Sequence, residues 1–107
     1  MKRGEVWWVK FNTPAVGGEI EKQRPAVIIS NDISNKHLNR VQVVPLTSKI
    51  DKLFPSEAYI TLNGKQNKAV ADQLTTVSKL RLSNMEGKLA AADLKKIEKA
   101  IKTQLDL

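Results

Sequence analysis

Helical periodicity is confined to the end of this chain. Leu94, Ile97, Ile101 and Leu105 recur at spacings of three and four and lay one apolar stripe along a helix, while Lys95, Lys96, Lys99 and Lys102 fall on its other faces. Asp93 near the start of that segment and Lys102 near its end both suit the helix dipole. Upstream, apolar residues come in short runs broken by Pro, Gly and Asn, a pattern that predicts strands. The runs are Glu5 to Phe11, Arg24 to Ser30, Val41 to Ser48, Glu57 to Asn63 and Lys68 to Gln73, with TTVSK as a further short one, and NDISNKHLN reads as a turn or a single helical turn. Asn63-Gly64 is a hairpin signal that folds the next run back on its predecessor. Pro25 has to sit at the start of its strand, where its missing N–H costs no central ladder bond. Many short strands and one terminal helix predict a mostly β fold, a small SH3-like barrel of strongly bent antiparallel sheet with a C-terminal α-helix.

The 107 residues suffice for a single domain spanning 1–107 and one sizeable core. Eighteen Lys+Arg against eleven Asp+Glu give a formal net charge of +7, which favours a polyanionic partner such as nucleic acid or an acidic protein segment. The lysines of the final helix are equally well read as a solvated face. With no cysteine, disulfides, thiolate catalysis and cysteine-ligated zinc are excluded. Glu5 and Lys10 break the apolar run of the basic N-terminus, and no stretch approaches a membrane span, so a soluble cytoplasmic protein with no membrane partner is expected.

Elimination narrows the chemistry. His37 is the only histidine, so a two-histidine acid–base pair cannot be built within one chain. No His/Cys cluster or spaced acidic motif offers a metal site, and neither a P-loop nor a G-x-G-x-x-G offers a nucleotide cofactor a foothold, so no metal and no cofactor are expected. What remains is Arg24 of QRPAV and Thr47 of VPLTS, each at a loop–strand junction. A curved sheet would bring this guanidinium and hydroxyl to one pocket, and both suit a phosphate, the arginine as a permanently charged fork of donors. Spacing alone leaves the plainer reading open, with Arg24 as a surface salt-bridge partner and Thr47 as a strand-end cap.

Four blocks taken in order, KRGEVWWVKF, GGEIEKQRPAVIISNDISN, VVPLTS and AVADQLTTVSKLRL, resemble the MazF/PemK (Kid) toxin family of mRNA interferases over nearly the whole chain. The resemblance implies a homodimeric SH3-like barrel that cuts single-stranded RNA at short sequences without a metal and is silenced by a small acidic antitoxin of the MazE kind. By position, Arg24 and Thr47 match the family's catalytic arginine and threonine, and Asp72 and Gln73 match an ADQ segment that lies at the active site in some members. Val70 stands where certain members carry an arginine.

On this reading Arg24 and Thr47 grip the scissile phosphate, and Lys22 and Lys49 are secondary anchors. Ser48, Gln73 and the Gly17-Gly18 pair of the loop from Asn12 to Gln23 add RNA contacts. An arginine rarely surrenders its proton, so the general base is sought in His37 or Asp72. Trp7 and Trp8 face opposite ways in a strand; one belongs to the core, and the other stacks on a base or closes a dimer interface. Two readings of other classes remain, a CcdB-like gyrase-poisoning toxin and a non-catalytic SH3-like RNA-binding module. The gyrase poisons carry a tryptophan near the C-terminus, whereas both tryptophans here lie at the start.

Overall fold

The computed structural model describes residues 1–11, 16–19 and 22–107. Its strands are β1 (Glu5–Lys10), β2 (Gln23–Ile28), β3 (Arg40–Thr47), β4 (Glu57–Leu62), β5 (Lys65–Val70), β6 (Thr75–Ser78) and β7 (Leu82–Lys88). A short helix α1 (Asp32–His37) joins β2 to β3, and α2 (Ala91–Leu105) ends the chain. The sheet runs β4-β5-β3-β2-β1-β7, with β6 also paired to β3, and every pairing is antiparallel.

The bend originates in β3. Its first half pairs with β6 from Arg40 to Val43, and its last residues, Leu46 and Thr47, pair with β5. Alternation along β3 sends Val41 and Val43 to one side of the sheet and Val44 and Leu46 to the other, so both faces need cover. On one side Val6, Val27, Val44, Leu46 and Ile60 pack under Ile97 and Ala100 of α2. On the other, Val9, Phe11, Ala26, Ile28, Val41, Val43 and Val77 fill the curl of the sheet. Each fully buried Val or Ile contributes on the order of 1.5–3 kcal/mol, so the two clusters hold the curl from both sides.

The curl closes where the β4–β5 hairpin meets β7. Asn63 and Gly64 both take positive φ, +50° and +79°, as a two-residue hairpin requires. The Asn63 amide donates to the carbonyl of Glu86 at 3.0 Å. A Cβ on Gly87 would lie 3.1 Å from Asn63 Oδ1 and 3.2 Å from Leu62 Cδ1, so the glycine permits this approach. The result is a mostly β half-barrel of curled antiparallel sheet with a C-terminal helix, as the sequence pattern predicts.

Three local expectations change. Lys68 to Gln73 is not one strand: β5 starts at Lys65 and stops at Val70, and Ala71–Gln73 forms a 3-10 turn that steps the chain across to β6. Strand β7 is absent from the sequence reading because LSNMEGK is largely polar; it is held through its backbone to β1 and is mostly exposed. Pro25 is the third residue of β2, yet the β2–β3 ladder begins only at Ala26, so the proline lies outside that ladder. Among the described residues no helix is long and apolar enough to cross a membrane.

Candidate active site

The β2–β3 register aligns Ala26 with Pro45, Val27 with Val44 and Ile28 with Val43. The ladder ends there; its offset, extended two residues further on each strand, would set Arg24 opposite Thr47, and alternation puts both on the face of Ala26 and Pro45. Both are half-buried at the edge of the second core cluster, and Val9 of β1 is Arg24's partner on the other side. Arginine fits here because its stem covers apolar neighbours while its head group reaches outward. Among the described residues no carboxylate lies within ion-pair distance of Arg24.

The chain beyond Thr47 is tied down. The Lys49 N–H donates to Thr47 Oγ1 at 3.2 Å, turning the exposed Ser48-Lys49 pair back over the strand end. Tyr59 Oη donates to the carbonyl of Ile50 at 2.8 Å and Lys68 Nζ to that of Lys52 at 2.8 Å. Lys68 is nearly buried, pairs with Glu57 at 3.0 Å, and lies opposite Thr47 on β5. Thus Lys68 and Tyr59, neither of them picked out by the sequence pattern, hold the segment that carries Ser48 and Lys49. Their role depends on the β3–β5 pairing, which no local signal encodes.

A cavity of about 550 Å³ opens beside this row. Pro45, which shares Thr47's face, lines it with Gly18, Asp72 and Gln73. Gln73 Nε2 donates to the carbonyl of Gly18 at 3.1 Å, joining the 3-10 turn to the β1–β2 connection. At the base of that connection Phe11 N–H donates to the carbonyl of Lys22 at 2.8 Å, and Lys22 itself is exposed with φ +54°. Gly17 and Gly18 are exposed nearby, Gly17 with φ +63°. The rest of the expected RNA-binding loop, residues 12–15 and 20–21, lies outside the described residues.

The structure therefore brings Arg24, Thr47, Ser48 and Lys49 to one end of the β2–β3 pair, with Asp72, Gln73 and Gly18 around the adjoining cavity. His37 does not join them. It is exposed in the last turn of α1, beyond the opposite end of β2, and Arg24 to Ile28 alone spans roughly 13 Å of strand. Val70, at the position where some toxins of the resembling family carry arginine, is buried. Trp7 packs against the second core cluster, and its neighbour Trp8 faces the other way, as alternation requires.

The sequence profile described as PemK-like, MazF-like toxin of type II toxin–antitoxin systems matches residues 2–105. The chain is 40% identical over 116 aligned residues to the endoribonuclease MazF9 of Mycobacterium tuberculosis, covering 100% of this chain and 98% of that protein. It is 31% identical to the endoribonuclease MazF of Staphylococcus saprophyticus, covering 100% of this chain and 92% of the relative. Among solved structures, a mycobacterial endoribonuclease in complex with its cognate antitoxin matches with a TM-score of 0.83 at 25% identity, covering 100% of this chain and 96% of that one. The fold is also that of MazF from Deinococcus radiodurans, with a TM-score of 0.85 at 23% identity over 100% of this chain and 97% of that one. The chain belongs to the PemK-like, MazF-like family of type II toxin–antitoxin toxins.

Proposed function

We propose that Arg24 and Thr47 act as one phosphate clamp in the RNA cleavage that this MazF-family endoribonuclease toxin carries out. The observation that carries the proposal is the β2–β3 register, whose last pair, Ala26 and Pro45, lies two residues from Arg24 and from Thr47 on the same face, with Pro45 lining a cavity. The 2′-hydroxyl attacks the adjacent phosphorus, the P–O5′ bond breaks, and negative charge peaks on the non-bridging oxygens. A fixed guanidinium and a hydroxyl aimed at those oxygens stabilise that charge; removing one such donor typically costs ~10²–10³ in turnover. Asp72, which lines the cavity together with a second carboxylate, Glu19, takes the 2′-hydroxyl proton, and water protonates the departing 5′-oxygen. The products are a 2′,3′-cyclic phosphate and a 5′-hydroxyl.

Lys22, Ser48, Lys49 and Gln73 hold the flanking RNA. The reaction needs no metal, since the clamp itself supplies the charge. The active form is a homodimer of one-domain chains, residues 1–107, acting on mRNA in the cytoplasm. A small acidic antitoxin silences it, because a basic surface meant for phosphates also attracts carboxylates. The solved antitoxin complex of the mycobacterial relative supports that pairing. No feature of the site favours the gyrase-poisoning or purely RNA-binding readings.

The test is to incubate the purified protein with a long RNA in EDTA and map the fragment ends. Discrete cuts leaving 5′-hydroxyl ends are expected. Cutting that appears only when Mg²⁺ is added would overturn the metal-free clamp. Binding to the RNA should weaken with salt by about 0.7 log units per phosphate contact for each decade.

A further inference from the structure

Trp8 is half-buried at the same strand end as Arg24 but on the opposite face, paired with Pro25 across the β1–β2 ladder. Its indole Nε1–H donates to Glu86 Oε2 at 2.8 Å, which fixes the ring plane. The ring stands between two hollows. One, of about 560 Å³, is lined by Trp8 with Lys10, Lys22 and Gln23 and is cationic. The other, of about 310 Å³, is walled by Asn63, Lys65, Asn67 and the Glu86 carboxylate.

The two hollows differ in what they can hold. Two lysines suit a phosphate, whereas in the second hollow the Glu86 carboxylate offsets the single Lys65 ammonium. Amides and a carboxylate suit a group that offers N–H donors. Asn63 and Asn67 use their NH₂ groups on the carbonyls of Glu86 and Lys65, at 3.0 and 3.4 Å, and among the described residues nothing donates to their amide oxygens. An oriented aromatic ring with a cationic hollow on one side and an acceptor-rich hollow on the other matches one nucleotide, its phosphate in the first and its base against the indole in the second.

We propose that Trp8 is the platform of a nucleobase subsite that takes one nucleotide flanking the cut and favours a base with an exocyclic amine. It rests on the RNA-cutting reading and adds a position at which sequence is read. Lys10 and Lys22 hold the phosphate, and Glu86 both orients the indole and accepts from the amine. Stacking on one aromatic side chain is worth about 1–3 kcal/mol, equivalent to roughly 5- to 150-fold in affinity.

The experiment uses the full chain and two uncleavable probes, oligo(dC) and oligo(dT) of ten nucleotides. The wild-type protein is first shown to cut a long RNA; no cutting would overturn the enzyme reading itself. Tryptophan fluorescence should then be quenched more strongly by oligo(dC), whose base carries an amine, than by oligo(dT). In Trp8→Leu the quench should be lost and the Kd for oligo(dC) should rise at least fivefold. The same variant should still cut long RNA at the phosphodiester, with a raised KM, near-normal kcat and a relaxed base preference at one position. Trp8→Phe, which keeps a ring, should restore most of that preference. A Trp8→Leu protein that binds both probes and cuts the same sequences as wild type would overturn the subsite. So would a Trp8→Leu protein that turns monomeric with unchanged base preference, since Trp8 would then be an inter-subunit contact. Equal affinity of the wild type for the two probes would overturn the amine preference.

Discussion

The two ends of the β2–β3 pair use their polar side chains in opposite ways. At the α1 end several are engaged within the chain. Arg3 meets Glu98 at 2.7 Å and donates to the carbonyl of Ile29, and its N–H donates to Asp32 at 2.7 Å. Asn31 caps α1 by accepting from the Ser34 N–H at 2.9 Å. Buried Asn35 donates to the carbonyl of Ser30 at 2.9 Å and accepts from the Ser30 hydroxyl, while Lys79 donates to the Asn35 carbonyl. At the other end Arg24 has no carboxylate partner among the described residues, and Ser48 and Lys49 are exposed. One arginine completes the fold; the other keeps its charge available for a ligand. Stability and chemistry are thereby separated along a single pair of strands.

That separation can be broken most sharply at the arginines. Arg24→Ala should lower kcat by ~10²–10³ and leave the unfolding temperature nearly unchanged. Arg3→Ala should do the reverse, losing about 1–3 kcal/mol of stability in urea titrations while folded molecules cut RNA at the wild-type rate. If Arg24→Ala instead unfolded the protein, the contrast between the two ends would vanish. Asn35→Ala should cost about 2 kcal/mol, because the Ser30 hydroxyl loses its buried acceptor, again with activity per folded molecule retained. Asn31→Ala, which removes only the cap, should cost about 1 kcal/mol.

Acid sharpens the same contrast. The Arg3 N–H beside Asp32 holds that carboxyl below its ordinary 3.8, with smaller help from the Asn35 amide, Lys2 and the Arg3 charge against some burial. Burial alone would raise Glu5, but the Trp7 indole, the Lys2 N–H, the N-terminal ammonium and Lys88 hold it below its ordinary 4.5. A carboxylate depressed by folding stabilises the protein fully above its unfolded value, and the gain disappears as pH falls through the folded value. Stability should therefore be flat above about pH 5 and decline below the 3.8–4.5 range. Asp32→Asn should remove part of that decline. The smallest effect expected is at His37, which lies at the structural end: His37→Ala should leave the pH–rate profile unchanged, and an altered profile would return it to the chemistry.

Much of the fold is legible in the chain because burial writes itself as alternation. VQVVPLT, RPAVI and EAYITL each declare a strand, Asn63-Gly64 declares its hairpin, and Leu94 to Leu105 declares the helix. Strand β7 is not legible, since its outward residues are polar and it is held to β1 mainly by the antiparallel backbone ladder. Arg24 and Thr47 can be picked out as polar groups at strand ends, but their alignment depends on a β2–β3 offset set by long-range packing. Lys68 looks like any surface lysine until β5 pairs with β3 opposite Thr47. The amide-walled hollow beside Trp8 arises only when the hairpin tip folds back to β7, a contact more than twenty positions apart in the chain.

A double-mutant cycle on kcat probes most directly whether the open strand end works as a unit. Single-turnover cleavage of one RNA would be compared for wild type, Arg24→Ala, Thr47→Ala and the double variant. If both groups stabilise the same developing phosphate charge, the double variant should be little worse than Arg24→Ala alone. Two losses that multiply in full would mean that the guanidinium and the hydroxyl act at separate places, contrary to the alignment drawn from the strand register.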